Sequence, residues 1–201
     1  MRPDGRSRVA RAGRRAVGGS GRDTGRVGHT VLQLPVRALE PLVRRHLLDE
    51  TPSLTAPDPA TVCAHITLLG PFVHHRDVDA ELLAALSRLL ASAASFEFEL
   101  TGIRSFPSGP VYLAPDPAEP LRHLTERLTE AFPAWLPYGG AFDEVVPHLS
   151  IGHDLTPGER AELELRLPIP VRAEVVDLTW WSPTSVRTLV RFPLGPELLA
   201  G

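Results

Sequence analysis

Ala64-His65-Ile66-Thr67-Leu68-Leu69-Gly70 and Pro147-His148-Leu149-Ser150-Ile151-Gly152 write one phrase twice: histidine, apolar residue, hydroxyl residue, apolar residue, with a glycine close behind. Side chains on a strand alternate between two faces. In the first copy Val62, Ala64, Ile66 and Leu68 therefore point toward a core, while Cys63, His65 and Thr67 point away from it. In the second copy Val145, Leu149 and Ile151 face inward and His148 and Ser150 look out together. Each strand thus presents one imidazole and one hydroxyl to the same surface. A bare His-x-Ser/Thr carries little weight in a chain with eight histidines. The shared apolar context and the trailing glycine carry more, against the plain alternative of two solvated polar pairs.

Working outward, residues 30–34 read as a strand and residues 37–48 as a helix with Leu39, Leu42, Val43 and Leu47 on one stripe. A proline-rich loop spans 52–59. The first motif strand runs over 62–69, and Asp77 is expected to cap a helix carrying Val78, Leu82, Leu86, Leu89 and Leu90. Phe96, Phe98 and Leu100 alternate with Glu97, Glu99 and Thr101, the pattern of a strand with one wet face. A short strand at 111–113, a helix through Leu121, Leu124 and Leu128, and the second motif strand at 145–151 follow. Thr156-Pro157-Gly158-Glu159 has the form of a capping box with proline at the first helical position. Strands at 171–181 and 185–192 close the chain. Half-polar strands mixed with helices predict an α+β protein with antiparallel sheets rather than a doubly wound parallel one.

The stretches His65-Ile-Thr-Leu-Leu-Gly-Pro-Phe72 and Tyr138-Gly-Gly-Ala-Phe-Asp-Glu-Val-Val-Pro-His-Leu-Ser150 resemble the signature of the 2H phosphoesterase superfamily. That superfamily includes the RNA 2′,3′-cyclic phosphodiesterases long called 2′-5′ RNA ligases. The resemblance covers roughly residues 28–195. It implies a two-lobed, pseudo-symmetric fold with antiparallel sheets lining a central groove and helices outside. It further implies a phosphodiesterase in which His65, Thr67, His148 and Ser150 are catalytic, with His65 the acid and His148 the base by analogy. Histidine suits both roles because its ordinary pKa lies near neutrality. The hydroxyls can orient the non-bridging phosphate oxygens. No metal and no cofactor is expected. Joining of 2′-5′ RNA ends, action on another cyclic phosphodiester, and nucleotide or RNA binding without turnover are the alternatives.

Phe72, Tyr138 and Arg187 are the candidate substrate-binding residues: a ring to stack on a base, a loop bordering the groove, and a cation sharing a strand face with Arg191. Of the adjacent Trp180 and Trp181, one is expected in the core and the other as a platform. His74 and His75 read as a solvated pair and His153 as facing away from His148. Cys63 shares the outward face but has no base beside it.

Charge is unevenly placed. Residues 1–26 hold eight arginines against Asp4 and Asp23, and residues 27–201 hold 13 arginines against 22 acids. The first segment is expected to be a basic disordered tail, and 27–201 a single domain. An acidic body argues against gripping long nucleic acid backbones, so a small phosphorylated nucleotide or an RNA end is the expected partner. One cysteine excludes an internal disulfide. No apolar run is long enough for a membrane span, and no secretory signal is apparent. A monomer in the cytoplasm is expected.

Overall fold

The structure, a computed structural model, describes residues 27–55, 58–107, 109–142 and 145–196. The basic segment 1–26 lies outside the described residues. Eight strands, β1 (His29–Pro35), β2 (His65–Leu69), β3 (Phe96–Ser105), β4 (Val111–Asp116), β5 (Leu149–Gly152), β6 (Ile169–Ala173), β7 (Val175–Ser182) and β8 (Ser185–Pro193), form one curled sheet in the order β6-β3-β4-β5-β2-β1-β7-β8. Every pairing is antiparallel. Among the described residues four α-helices accompany it: α1 (Glu40–Glu50), α2 (Ala80–Ala91), α3 (Glu119–Ala131) and α4 (Pro157–Arg166). This is the α+β architecture expected.

The sheet divides into two halves of four strands, β6-β3-β4-β5 and β2-β1-β7-β8, with a motif strand innermost in each. They meet where Ile66 pairs with Leu149. The connections match: β1-α1-β2 and β4-α3-β5 are each a strand, a helix and the antiparallel neighbour. The helices then cross over. α1 packs on β5 and α3 on β2, so each motif strand is backed by the other half's helix. Strand alternation supplies the apolar side for this packing: Ala64, Ile66 and Leu68 of one motif, and Leu149 and Ile151 of the other, are buried in one core cluster. The glycine behind the second motif has a packing reason. A Cβ on Gly152 would lie 2.8 Å from Nδ1 of His46 on α1 and 2.7 Å from Oε1 of Glu50.

Several boundaries differ from expectation. α2 is capped by Asp79, whose carboxylate accepts from the Leu82 amide at 2.8 Å, and Asp77 sits in the preceding 3-10 turn. β5 begins only at Leu149, after Pro147, which has no N–H to donate to a ladder. The expected strand 171–181 is two strands broken at Glu174, because β6 pairs with β3 in one half while β7 pairs with β1 in the other. The capping box at Thr156 and Glu159 forms as read.

Candidate active site

The meeting of Ile66 with Leu149 sets the site. Continuing that antiparallel register by one residue each way puts His65 across from Ser150 and Thr67 across from His148. All four side chains are half-buried between neighbours that are fully buried. Each imidazole is held in the same way. His65 Nδ1 lies 2.6 Å from the Cys63 carbonyl, and His148 Nδ1 lies 2.7 Å from the Val146 carbonyl, two residues back in both cases. A carbonyl only accepts, so Nδ1 carries the hydrogen in both rings, and Nε2 is left as the nitrogen that can exchange a proton. Burial lowers both pKa values from 6.5, against the opposing pull of the carbonyl bonds. For His65 the charge of His148 adds to the lowering.

The surroundings of the two rings differ. His65 packs against Trp181, with ring centroids 5.3 Å apart. Trp181 in turn donates from Nε1 to Gln33 Oε1 at 3.0 Å, and the fully buried Gln33 donates to the Val62 carbonyl. His148 sits among three rings: Phe106 at 4.9 Å, Tyr112 at 5.5 Å and Tyr138 at 6.1 Å, the last stacked at 17°. Tyr138 ties the motifs together. Its amide donates to the Gly70 carbonyl at 2.6 Å, its hydroxyl faces Thr67, and its ring lies on His148. It pays for this with a left-handed backbone, φ 52°, which costs a non-glycine residue about 1–2 kcal/mol.

Three expectations need correction. Phe72 is 5% exposed and packs edge-on against Phe132 and Trp135, so it is a core residue and offers no face to a base. Arg187 and Arg191 do not share a face. A bulge at Leu189, between the pairs Leu178–Val190 and Thr179–Thr188, inserts one residue and inverts the alternation. Arg191 falls on the groove side, where it is paired with Asp177 at 2.7 and 2.8 Å. Arg187 lies beside Trp180 on the other side. Cys63 is 1% exposed in a small cluster with Leu54 and Val186, and burial raises its pKa to about 12. Its carbonyl holds the His65 ring.

Of the two tryptophans, Trp180 is buried beneath the rings of His74 and His75, and Trp181 is the one beside the motif. His153 bonds Glu50 at 2.8 Å, away from the groove. Among the described residues, no group of three or more His, Cys, Asp or Glu side chains is placed to hold a metal ion. Sequence reasoning misses Phe106 and Tyr112. By strict alternation from Phe98 and Leu100, Phe106 points inward, but a bulge at Thr101 turns the far end of β3 over. No local sequence signal marks it.

A family model described as the 2′-5′ RNA ligase superfamily matches residues 32–187. Escherichia coli LigT in complex with NADP+ is similar over 84% of this chain and 98% of its own, at 17% identity and a TM-score of 0.51. TT0787 of Thermus thermophilus is similar over 84% and 99%, at 19% identity and a TM-score of 0.50. At such identities the likeness establishes the fold. No curated protein matches the chain. Among the described residues, no helix is long and apolar enough to cross a membrane.

Proposed function

From the membership of this chain in the 2′-5′ RNA ligase superfamily, a group of 2H phosphoesterases, we propose that it is a metal-independent phosphodiesterase that opens 2′,3′-cyclic phosphates on nucleotides or RNA ends. The observation that carries the reading is the matched pair of imidazoles, each with Nδ1 held by a carbonyl two residues back and each beside a motif hydroxyl. Tautomers fixed in this way leave two Nε2 atoms for one substrate. One Nε2, unprotonated, takes the proton of the attacking water. The other, protonated, gives its proton to the ribose oxygen as the P–O bond breaks. The product is a ribose phosphomonoester, and the enzyme ends with the two protonation states exchanged. Thr67 and Ser150 hydrogen-bond the non-bridging oxygens and keep the attack in line. The lowered pKa of both rings favours the neutral base, and the negative phosphate draws a proton back onto the acid. His65 is assigned as acid and His148 as base.

Joining of 2′-5′ RNA ends would run the same chemistry with a ribose hydroxyl in place of water. The acidic balance of residues 27–201 disfavours long RNA in that role.

The test is hydrolysis of adenosine 2′,3′-cyclic phosphate in excess EDTA by wild type, His65→Ala and His148→Ala. Wild type should turn over, with kcat reduced about 10³-fold or more in each variant. Loss of activity in EDTA with rescue by a divalent metal would refute the metal-free mechanism. Equal rates in all three proteins would place the chemistry elsewhere.

A further inference from the structure

Across the sheet, the two motif hydroxyls begin two rows of side chains on the groove face. In one half the row runs Thr67, Gln33, Asp177, Arg191. In the other it runs Ser150, Tyr112, Arg104. The first row is closed. Gln33 and Asp177 are 0% exposed, Gln33 is bonded to Val62 and Trp181, and Arg191 is neutralised by Asp177. The segment leading into β2 lies against that half, with the Thr61 hydroxyl accepting from the Thr188 amide at 2.7 Å.

The second row is open. Arg104 is exposed, and among the described residues it has no hydrogen bond or ion pair. It stands two strands from Ser150, about 10 Å at ordinary strand spacing, within the span of one nucleotide and a long side chain. Two residues along the same face, Phe106 is stacked on Tyr112 at 4.3 Å, and both rings touch His148. On the opposite flank, nothing lies within 4 Å of where a Cβ on Gly102 would sit, so the surface beside Arg104 is clear. Beyond Gly102 the face turns acidic, with Glu99 opposite Asp116, both exposed.

We propose that Arg104 binds a second phosphate of the substrate, the one on the 5′ oxygen of the nucleotide whose cyclic phosphate lies between His65 and His148. This rests on the function proposed above and specifies its substrate class: short, 5′-phosphorylated nucleotides. A guanidinium without a partner among the described residues, on the same face as the motif histidines, is suited to a phosphate because its planar fork matches two oxygens. The acidic patch past Gly102 repels any further phosphate, so the chain of anions ends at Arg104. The 5′ phosphate can be a terminal monoester or the bridge to a preceding nucleotide, and both carry the same oxygens to the same place.

Binding separates this inference from the catalytic reading. Calorimetric titration of wild type, Arg104→Gln and Arg104→Lys with adenosine 3′-monophosphate, adenosine 3′,5′-bisphosphate and 3′-phosphorylated ApA requires no turnover. Wild type should bind the bisphosphate about tenfold more tightly than the monophosphate. Arg104→Gln should erase that preference, and Arg104→Lys should restore part of it. Arg88→Gln, on the exposed face of α2, should keep it whole. Preference for the bisphosphate alone identifies a terminal phosphate, and equal preference for ApA derivative and bisphosphate identifies a bridging one as well. An unchanged preference in Arg104→Gln overturns the proposal, even if the enzyme hydrolyses cyclic phosphates. Its loss sustains the proposal even if no cyclic phosphate is turned over, in which case the catalytic reading alone fails.

Discussion

The halves of the sheet are built alike but furnished differently. β2 and β5 occupy equivalent central places, and their histidines are fixed by the same bond to a carbonyl two residues back. Around these shared centres, one half is packed shut by Trp181, Gln33 and the Asp177–Arg191 pair, while the other presents Phe106, Tyr112 and an Arg104 that is unpaired among the described residues. What is duplicated is the set of imidazole, carbonyl and hydroxyl. What diverges is the surface around it. On the function proposed above, a pseudo-symmetric site working on an asymmetric molecule needs both properties.

The largest effects should come from the duplicated part. If the two imidazoles act in one step, the double variant His65→Ala/His148→Ala should be about as slow as either single variant, since either loss already disables the pair. Losses that multiply would show two independent functions and break the equivalence of the halves. Next in size, Thr67→Val and Ser150→Ala should each lower kcat about 10²-fold through the lost hydrogen bond to phosphate oxygen. Here the halves part, because Thr67 is the motif hydroxyl that the Tyr138 phenol faces. Tyr138→Phe keeps the ring on His148 and removes the hydroxyl that faces Thr67. It should cost about threefold to tenfold in kcat/KM, and nothing further in a Thr67→Val background.

The pH profile tests the equivalence from another side. Both histidines are held below 6.5 by burial, so their protons come off in two coupled steps, both displaced downward. kcat/KM, which reports the free enzyme, should follow a bell with its maximum on the acid side of pH 6.5. A maximum on the alkaline side would mean that one ring is not desolvated. The same shifts have a sign for stability. The unfolded chain takes up protons near pH 6.5 while the folded one does so only at lower pH, so the fold weakens as pH falls below 6.5.

The motif pair is legible because strand period alone places His65 with Thr67 and His148 with Ser150, and because apolar residues between them declare the buried face. The α+β class and the capping box at Thr156 are legible for similar local reasons. The faces beyond the motifs are not. Bulges at Thr101 and Leu189 each shift alternation by one residue, turning Arg104 and Phe106 outward and parting Arg187 from Arg191. A bulge is a property of the pairing between two strands, and neither strand's sequence announces it. The burial of Phe72 escapes a local reading because its partners, Phe132 and Trp135, lie some sixty residues away and reach it only through the packing of α3 on β2.

The smallest effects should fall on the two arginine rows, and they should be effects of opposite kind. Asp177 is fully buried and accepts two hydrogen bonds from Arg191, whose side chain is 37% exposed. Asp177→Asn would remove a charge from the interior but leave the guanidinium facing an amide that can accept only through one oxygen. Because Arg191 can still reach water, the loss should be limited to about 1–2 kcal/mol of folding stability, read as a lower midpoint in urea with unchanged slope. Among the described residues Arg104 has no such tie. Arg104→Gln should therefore shift stability by less than about 0.5 kcal/mol while altering ligand preference. Equal destabilisation by both variants would show that Arg104 is a structural residue like its counterpart, and the difference between the halves would then be one of packing alone.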